Sequence, residues 1–267
     1  MKHALRRMIA AAWLGLSLAL APAAAASATA ASTDWRAEEP RALVITYRVA
    51  PAARIGFRQA LRASLLPRLE KLRGTGDLLA YQVLANRYVD SGSWDVMAVL
   101  DFKGQEALAR WRAVEDVAPA GLGPDALRQV TSAETAPGNI LRAGGALRKA
   151  GDAAPVFLVI PYDYLVSTDD YLKYVDGYLL PQLDGWMEEG ALSGFRLYLP
   201  RYAAGRTWSA LLMLAYQGDA GLARRDLVTQ KVRARLTATS AEWKAFADNK
   251  TNIRVEKQPI VADQILP

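Results

Sequence analysis

The alternation of hydrophobic and polar residues predicts six elements in the first half of the chain. Residues 41–49 are rich in β-branched and aromatic side chains, which favours a strand. Phe57, Leu61 and Leu65 then follow at four-residue spacing, which is typical of an amphipathic helix. The remaining predicted elements are the two strands of a hairpin, a second helix and a short last strand, over residues 78–88, 94–102, 104–117 and 127–133.

This pattern occurs twice. An Arg-Tyr pair followed by five residues and a tryptophan begins at Arg87 and again at Arg201, and 201 − 87 = 114. The same offset relates the two copies without a gap over residues 41–110 of the first copy. A repeat unit this long indicates a duplicated domain rather than a solenoid.

The second copy repeats the predicted order of elements. It is predicted to contain a strand, a helix interrupted at Pro181, a hairpin, a longer helical region and a last strand, over residues 155–164, 168–189, 192–202, 208–216, 219–249 and 253–266. Residues 136–154 are rich in glycine and alanine, which favours a linker. The predicted repeats therefore span residues 41–135 and 155–267.

The order strand, helix, strand, strand, helix, strand is that of a ferredoxin-like unit. A sheet with helices on one face leaves its other face to be covered, and a second copy of the unit can cover it. Element order and duplication together resemble the dimeric α+β barrel superfamily. The resemblance implies an α+β fold in which two ferredoxin-like repeats form a pseudo-dimeric barrel around a shared cavity.

The first 26 residues predict a secretory signal peptide. They combine a basic start at Lys2, Arg6 and Arg7 with an apolar run and the small-residue stretch 24–26. An uncleaved anchor helix is the alternative. Residues 27–40 are then a flexible lead-in, and the mature chain is expected to be periplasmic or secreted, without stable insertion in a membrane.

Net charge and the scarcity of cysteine and histidine limit the partners and cofactors that we expect. The net charge of +6 falls to about +3 without the signal, at 30 basic against 27 acidic residues, so we expect no nucleic-acid partner. The chain contains no cysteine, and its only histidine is His3. Thiolate chemistry and histidine-ligated metal or haem are therefore not expected, and we predict no cofactor.

Period-two alternation identifies candidate ligand-binding residues on the sheet faces that the helices leave bare. A buried Arg196 there would need an anionic partner, from the protein or from a ligand. The alternative is that these polar residues lie at strand ends and are simply solvated. The candidates are Gln82, Asn86, Tyr88, Arg196, Tyr198 and Tyr202.

Two aromatic groups have competing interpretations. Trp94 and Trp208 either pair across their hairpins with the preceding tyrosines and fix the strand register, which we favour, or form the rim of a cavity. Tyr171, Tyr174 and Tyr178 have helical spacing, which favours core packing over a pocket lining.

Three functional hypotheses follow. The first is an exported protein that binds a small, anionic or aromatic molecule between its sheets. The second is a cofactor-independent monooxygenase or cyclase, a class that the resemblance allows. The third is a structural or interaction protein with a closed core. The sequence leaves open whether the protein is an enzyme, and whether it is a monomeric pseudo-dimer or a homodimer.

Overall fold

The computed structural model describes residues 41–148 and 154–267. The predicted signal peptide and lead-in lie outside these residues. In the first repeat, two strands flank a pair of helices, a third strand completes a hairpin, and two helices precede a long fourth strand. These elements are β1 (Ala42–Val49), α1 (Arg54–Ala63), α2 (Leu65–Gly74), β2 (Leu78–Asn86), β3 (Val96–Phe102), α3 (Gln105–Glu115), α4 (Pro124–Leu127) and β4 (Val130–Gly145).

The second repeat follows the same order with more helix before its last strands. Its elements are β5 (Val156–Tyr164), α5 (Thr168–Tyr174), α6 (Leu180–Glu188), β6 (Leu192–Pro200), β7 (Ala210–Tyr216), α7 (Gly218–Ala223), α8 (Arg225–Thr239), α9 (Ala241–Ile253), β8 (Arg254–Glu256) and β9 (Ile260–Gln264). Within the described residues, no helix is long and apolar enough to cross a bilayer.

Eight antiparallel strands close into a barrel. Their order is β7-β6-β4-β1-β3-β2-β9-β5, and β5 also pairs with β7, which closes the circle. The short strand β8 pairs with β5 beyond β9. The predicted α+β fold with two ferredoxin-like repeats in a pseudo-dimeric barrel is confirmed.

Each repeat sends its last strand into the sheet of the other. Beyond its pairing with β1, strand β4 continues along β6, where Gly138 lies opposite Pro200. Strand β9 lies between β2 and β5, with Leu84 opposite Gln264. These two exchanges satisfy the backbone groups that would otherwise form open sheet edges.

Strand β4 corrects the predicted boundary between the repeats. Residues 136–145, the first ten of the predicted linker, belong to this strand, and residues 149–153 lie outside the described part of the chain. The glycines that suggested a linker have a different role, because they allow close approach to β6. A Cβ atom on Gly138 would lie 2.4 Å from the Leu199 carbonyl oxygen.

Proline positions explain how the long predicted helices divide. Pro67 lies in the first turn of α2, where its missing backbone N–H removes no helical hydrogen bond. The helix is interrupted at Ser64, between α1 and α2. In the second repeat, a π-helical turn at Val175–Leu179 precedes Pro181 and carries the helix past it. Ser167 caps the N-terminus of α5, since its hydroxyl accepts a hydrogen bond from the Asp170 N–H at 3.1 Å.

The core has three parts. One cluster packs α1–α4 against the outer face of the first sheet, and a second packs α5–α9 against the outer face of the second. The third fills the barrel interior. The predicted core role of Tyr171, Tyr174 and Tyr178 is confirmed, because each side chain is at most 1% exposed and their rings stack in series.

Substitution of Gly138 by alanine tests the exchange of β4. The added methyl group has no space against the Leu199 carbonyl, so Gly138→Ala is expected to lower the free energy of unfolding by about 1–3 kcal/mol. Gly74→Ala is the matched control, since no atom lies within 4 Å of the added Cβ. Urea denaturation followed by circular dichroism measures both. Equal stabilities for the two variants would contradict the described crossing of β4 and β6.

Candidate functional site

The barrel has a pocket of about 420 Å³ at one end, which we call the mouth pocket. Both repeats line it with matched residues at the offset of 114: Ser93 and Thr207, Trp94 and Trp208, and Met97 and Leu211. Residues of β1, β4, β5 and the segment between β8 and β9 complete its wall. The mouth pocket therefore lies where the duplicated hairpins converge.

Buried polar contacts hold the first tryptophan in place. The Asn86 side-chain amide donates to the Trp94 carbonyl at 3.1 Å, and the adjacent Asp95 carboxylate pairs with Arg54 at 3.1 Å. The second Asp95 oxygen accepts from the Val49 N–H at 2.9 Å. These buried contacts join the hairpin to β1 and α1.

The second repeat uses a hydroxyl at the equivalent position, since 209 − 95 = 114. The Ser209 Oγ accepts from the Tyr164 N–H at 3.0 Å, and its backbone N–H donates to the Tyr162 carbonyl at 2.9 Å. A neutral side chain thus anchors the second hairpin to β5. Trp94 and Trp208 are each 7% exposed.

Charged side chains around the mouth pocket already have partners within the protein. Arg48 donates to the carbonyl oxygens of Ser91 and Gly92 at 2.9 and 3.2 Å. The Lys257 ammonium pairs with Asp163 at 2.6 Å, and Glu134 pairs with Arg206 at 3.0 Å. The pocket consequently offers indole and aliphatic surface with hydroxyl groups, two ion-paired side chains, and the Arg48 guanidinium, whose partners are neutral carbonyls.

Apolar side chains fill the middle of the barrel. They come from the inward faces of strands in both repeats and include Val44, Leu84, Val99, Phe157 and Met213, each at most 3% exposed. The sequence predicted a cavity between the sheets. The structure closes that space centrally and leaves the mouth pocket at one end.

A second set of polar residues faces the barrel interior and does not line the mouth pocket. We call Gln82, Asp101, Arg196, Tyr198 and Gln264 the polar ring. The Gln264 amide donates to the Gln82 oxygen at 2.8 Å, but Oδ1 of Asp101, the hydroxyl of Tyr198 and Oε1 of Gln264 are buried without a hydrogen-bond partner. Burial raises the pKa of Asp101 to about 6, while the charge of Arg196 opposes this rise.

The six candidate residues predicted from the sequence occupy different places, and none of them lines the mouth pocket. Asn86 is 3% exposed and acts as a strand-end anchor. Tyr88 and Tyr202 are 64% and 67% exposed, on the hairpin loops. The other three, Gln82, Arg196 and Tyr198, belong to the polar ring.

The positions of Trp94 and Trp208 also differ from the favoured prediction, in which each tryptophan pairs across its hairpin with the preceding tyrosine. Strand pairing in the first hairpin stops at Ala85 and Val96, so Tyr88 and Trp94 do not form a cross-strand pair. The tryptophans turn toward the barrel while the tyrosines stay outside. The alternative interpretation, a cavity rim, matches the position of the tryptophans.

Sequence reasoning did not identify the other mouth residues. Thr46, Arg48 and Glu134 lie on strands that pair within the first repeat, and Lys257 and Gln258 interrupt the predicted strand over residues 253–266. The only signal for them was their position on inward-facing strand ends, which requires the barrel closure to interpret. Among the described residues, no group of three or more metal-ligating side chains is present.

No protein-family model matches the sequence, and no curated protein matches it. Solved structures do. A "putative monooxygenase" from Lactobacillus acidophilus NCFM has a TM-score of 0.52 and 8% identity, over 86% of this chain and 95% of that one. A "putative monooxygenase" from Fusobacterium nucleatum subsp. nucleatum has a TM-score of 0.55 and 10% sequence identity, over 86% of this chain and 94% of that one. A "putative chlorite dismutase" has a TM-score of 0.44 and 11% sequence identity, over 86% of this chain and 96% of that one.

The chain has the dimeric α+β barrel fold. Identities of about a tenth establish the fold alone, because one barrel architecture supports unrelated functions. In this dimeric α+β barrel both halves belong to one chain, so its two repeats can differ. The mouth pocket is lined by matched residues, whereas the polar ring places Asp101 where the other repeat has Ala215.

Replacing Asp101 by asparagine tests the electrostatic cost of the polar ring. Because the pKa of Asp101 is about 6 in the folded protein and about 3.9 in an unfolded chain, its ionisation weakens the fold as pH rises between these values. Asp101→Asn is therefore expected to be more stable than the wild type by about 1–3 kcal/mol at pH 7.5 and equally stable at pH 4.

Urea denaturation at several pH values measures this difference. Asp125→Asn is the control, because the Asp125 carboxylate is 82% exposed and its replacement should change stability by less than about 0.5 kcal/mol. A stability difference for Asp101→Asn that does not vary with pH would contradict the buried, ionisable carboxylate.

Proposed function

We propose that the protein binds a small, neutral, planar molecule in the mouth pocket. The observation that carries this proposal is the pair of matched tryptophans lining one pocket of about 420 Å³, a size in the range of small-molecule sites. Met97, Leu211 and Ile260 add aliphatic surface. An aromatic ligand would gain both area burial and ring contacts there.

The charges around the pocket support a neutral ligand. An anion would have to compete with Asp163 for Lys257, and a cation would have to take Glu134 from Arg206. Either exchange would sacrifice an existing contact. Hydroxyl groups of Thr46 and Ser132 remain suited to orient one or two polar atoms of a neutral molecule.

A haem group, which some proteins of this fold bind, does not fit these residues. The chain has no cysteine, and its single histidine, His3, lies outside the described residues. No histidine, cysteine or tyrosine lines the mouth pocket, and Met97 would ligate haem iron only together with a histidine.

The binding proposal is tested with 1-naphthol as a neutral planar probe, by isothermal titration calorimetry. Trp94→Ala and Trp208→Ala are each expected to weaken binding at least about tenfold, because each removes an aromatic wall worth about 1.4 kcal/mol or more. The anion 1-naphthoate is expected to bind more weakly than 1-naphthol to the wild type.

Tyr88→Ala and Tyr202→Ala are the matched controls for this titration. These tyrosines flank the same hairpins but are exposed, so their removal should leave the affinity unchanged. Binding that is lost in the tyrosine variants and kept in the tryptophan variants would contradict the proposal. Circular dichroism confirms that each variant is folded.

A second candidate function is oxidation of a phenol by dioxygen without a metal or haem. Its support is that two proteins of the same fold, with TM-scores above 0.5, are described as putative monooxygenases. An oxygen electrode with 1-naphthol as substrate tests this candidate. Uptake that depends on Trp94 and Trp208 would add turnover to binding, and its absence alongside binding would favour a binding protein.

We also propose that the protein acts outside the cytoplasm. The support is the sequence of residues 1–26, which has the basic start, apolar run and small-residue end of a secretory signal. Cell fractionation and mass determination of the mature N-terminus test this proposal. A full-length cytoplasmic product would contradict it.

A further inference from the structure

Strand β2 has a hydrogen-bonded neighbour along only part of one edge. Strand β9 pairs with its residues 84–86, and one further backbone bond joins the Ile265 N–H to the Val83 carbonyl at 2.7 Å. Alternate residues of an antiparallel strand direct their N–H and C=O groups to the same neighbour, so Tyr81 faces the same edge as Val83. Among the described residues, none pairs with this edge of β2 before Val83.

The residue of the β9 segment that lies nearest in register cannot complete this edge. Because Gln264 lies opposite Leu84, continuation of the register places Pro267 opposite Tyr81. Proline has no backbone N–H, so Pro267 cannot donate a hydrogen bond to the Tyr81 carbonyl. An unpaired strand edge of this kind is a template for another extended segment.

The corresponding edge in the second repeat is covered. Phe195 of β6 is the equivalent of Tyr81, since 195 − 81 = 114, and it lies opposite Gly144 of β4. Two residues earlier in β6, the Ser193 carbonyl accepts from the Ala146 N–H at 3.0 Å. The barrel therefore shows, in its own second half, how an antiparallel strand occupies this edge.

A shared irregularity in the two strands does not prevent such pairing. The register of β2 with β3 shifts between Leu78 and Ala80, and the register of β6 with β7 shifts between Leu192 and Gly194 at the same offset of 114. Bulges often protect the edge of a sheet from further pairing. Since β4 pairs with β6 beside its bulge, the equivalent bulge in β2 leaves the edge accessible to a strand.

A cleft of about 660 Å³ lies beside the open part of β2, and we call it the edge cleft. Four consecutive residues of β2 form one side, and the segment after β9 forms part of the other. Leu79 is 66% exposed there. The lining residues that carry the argument are Arg73, Leu79, Tyr81, Gln82 and Arg148.

The edge cleft has an excess of positive charge. Its one carboxylate, on Glu70, pairs with Arg73 at 2.7 Å and accepts a hydrogen bond from the Tyr81 hydroxyl. Arg148 also lines the cleft and has no ion pair within the described residues. An acidic side chain would supply the missing partner.

We infer that the edge cleft binds an extended, acidic peptide segment of another protein, which adds to β2 as an antiparallel strand. The peptide backbone faces Tyr81 as Gly144 faces Phe195, and an acidic side chain pairs with Arg148. Main-chain hydrogen bonds give such a complex its affinity, and the side-chain contacts give it selectivity.

Hydrogen exchange of single backbone amides, followed by NMR, tests whether the edge is open and becomes covered. In the free protein, the Tyr81 amide is expected to exchange at least about tenfold faster than the Phe195 amide. The probe is the hexapeptide Val-Glu-Val-Glu-Val-Glu, acetylated and amidated, which favours an extended strand with its carboxylates on one face. At saturation it is expected to slow exchange at Tyr81 at least about fivefold and to leave Phe195 unchanged.

Occupation of the edge by residues 149–153 of the chain itself is the competing outcome. The Tyr81 amide would then be as protected as that of Phe195 without peptide, and the peptide would have no effect. Either result would overturn the inference.

Two modified peptides separate strand addition from other kinds of binding. A dissociation constant of about 0.1–1 mM is expected for the hexapeptide, measured by NMR titration. The same peptide methylated on every backbone nitrogen is expected not to bind, because it has no N–H donors for the edge of β2. A peptide with lysine in place of glutamate is expected to bind about two- to fivefold more weakly. Equal affinity of the methylated peptide would contradict strand addition.

Arg148→Ser tests the charge of the edge cleft on the protein side. It is expected to weaken binding of the hexapeptide about two- to fivefold, the effect of one partly exposed ion pair. Arg128→Ser is the matched control, since the Arg128 side chain is 70% exposed and lies outside the cleft lining. Equal affinities in the two variants would overturn the assignment of an acidic ligand.

The inference is independent of the mouth pocket. Trp94 does not line the edge cleft, so Trp94→Ala is expected to bind the hexapeptide as the wild type does. Failure of 1-naphthol to bind would therefore leave the inference intact, and loss of hexapeptide binding in folded Trp94→Ala would overturn it.

Discussion

The exchange of the last strands between the two repeats is the constraint on which the structure depends. A ferredoxin-like sheet protected by helices on one face still has a bare face and two open edges. Strand β4 pairs with β6, and β9 lies between β2 and β5, so both edges are closed while the two bare faces are brought together. The glycines of β4 permit this approach where a side chain would collide with β6. Closure then produces the apolar interior that the mouth pocket and the polar ring border.

Duplication within one chain allows corresponding positions of the two repeats to carry different residues. At the mouth, corresponding hairpins contribute corresponding residues, and Trp94 and Trp208 face one pocket. In the polar ring, corresponding positions have diverged, since Asp101 is matched by Ala215 and Gln82 by Arg196. A symmetric dimer of identical chains would be obliged to carry each change twice. The covalent link between the repeats removes that obligation.

The mouth pocket and the polar ring also differ in whether their buried polar groups have hydrogen-bond partners. The mouth pocket borders buried polar residues that are satisfied, such as Asp95 with Arg54 and the Val49 amide, and these fix the hairpin that carries Trp94. In the polar ring, by contrast, Oδ1 of Asp101, Oε1 of Gln264 and the hydroxyl of Tyr198 have no hydrogen-bond partner in the protein. These residues border the apolar interior of the barrel. Burial without pairing lowers the stability of a protein. Burial raises the pKa of Asp101 because its ionised carboxylate loses hydration there.

The sequence by itself determined the duplication, the order of elements and the class of fold, because hydrophobic periodicity and turn residues are local signals that survive in each repeat. It also determined that Tyr171, Tyr174 and Tyr178 are core residues and that inward strand positions include Tyr198 and Arg196. Only the tertiary structure decided that residues 136–145 form a strand, since their glycines favour a linker until a neighbouring backbone requires them. It also decided that the central space is filled and that the tryptophans, rather than Tyr88 and Tyr202, face the pocket. Those facts depend on which strands meet around the barrel, and strand pairing between distant segments leaves no mark in the local pattern of a single sequence.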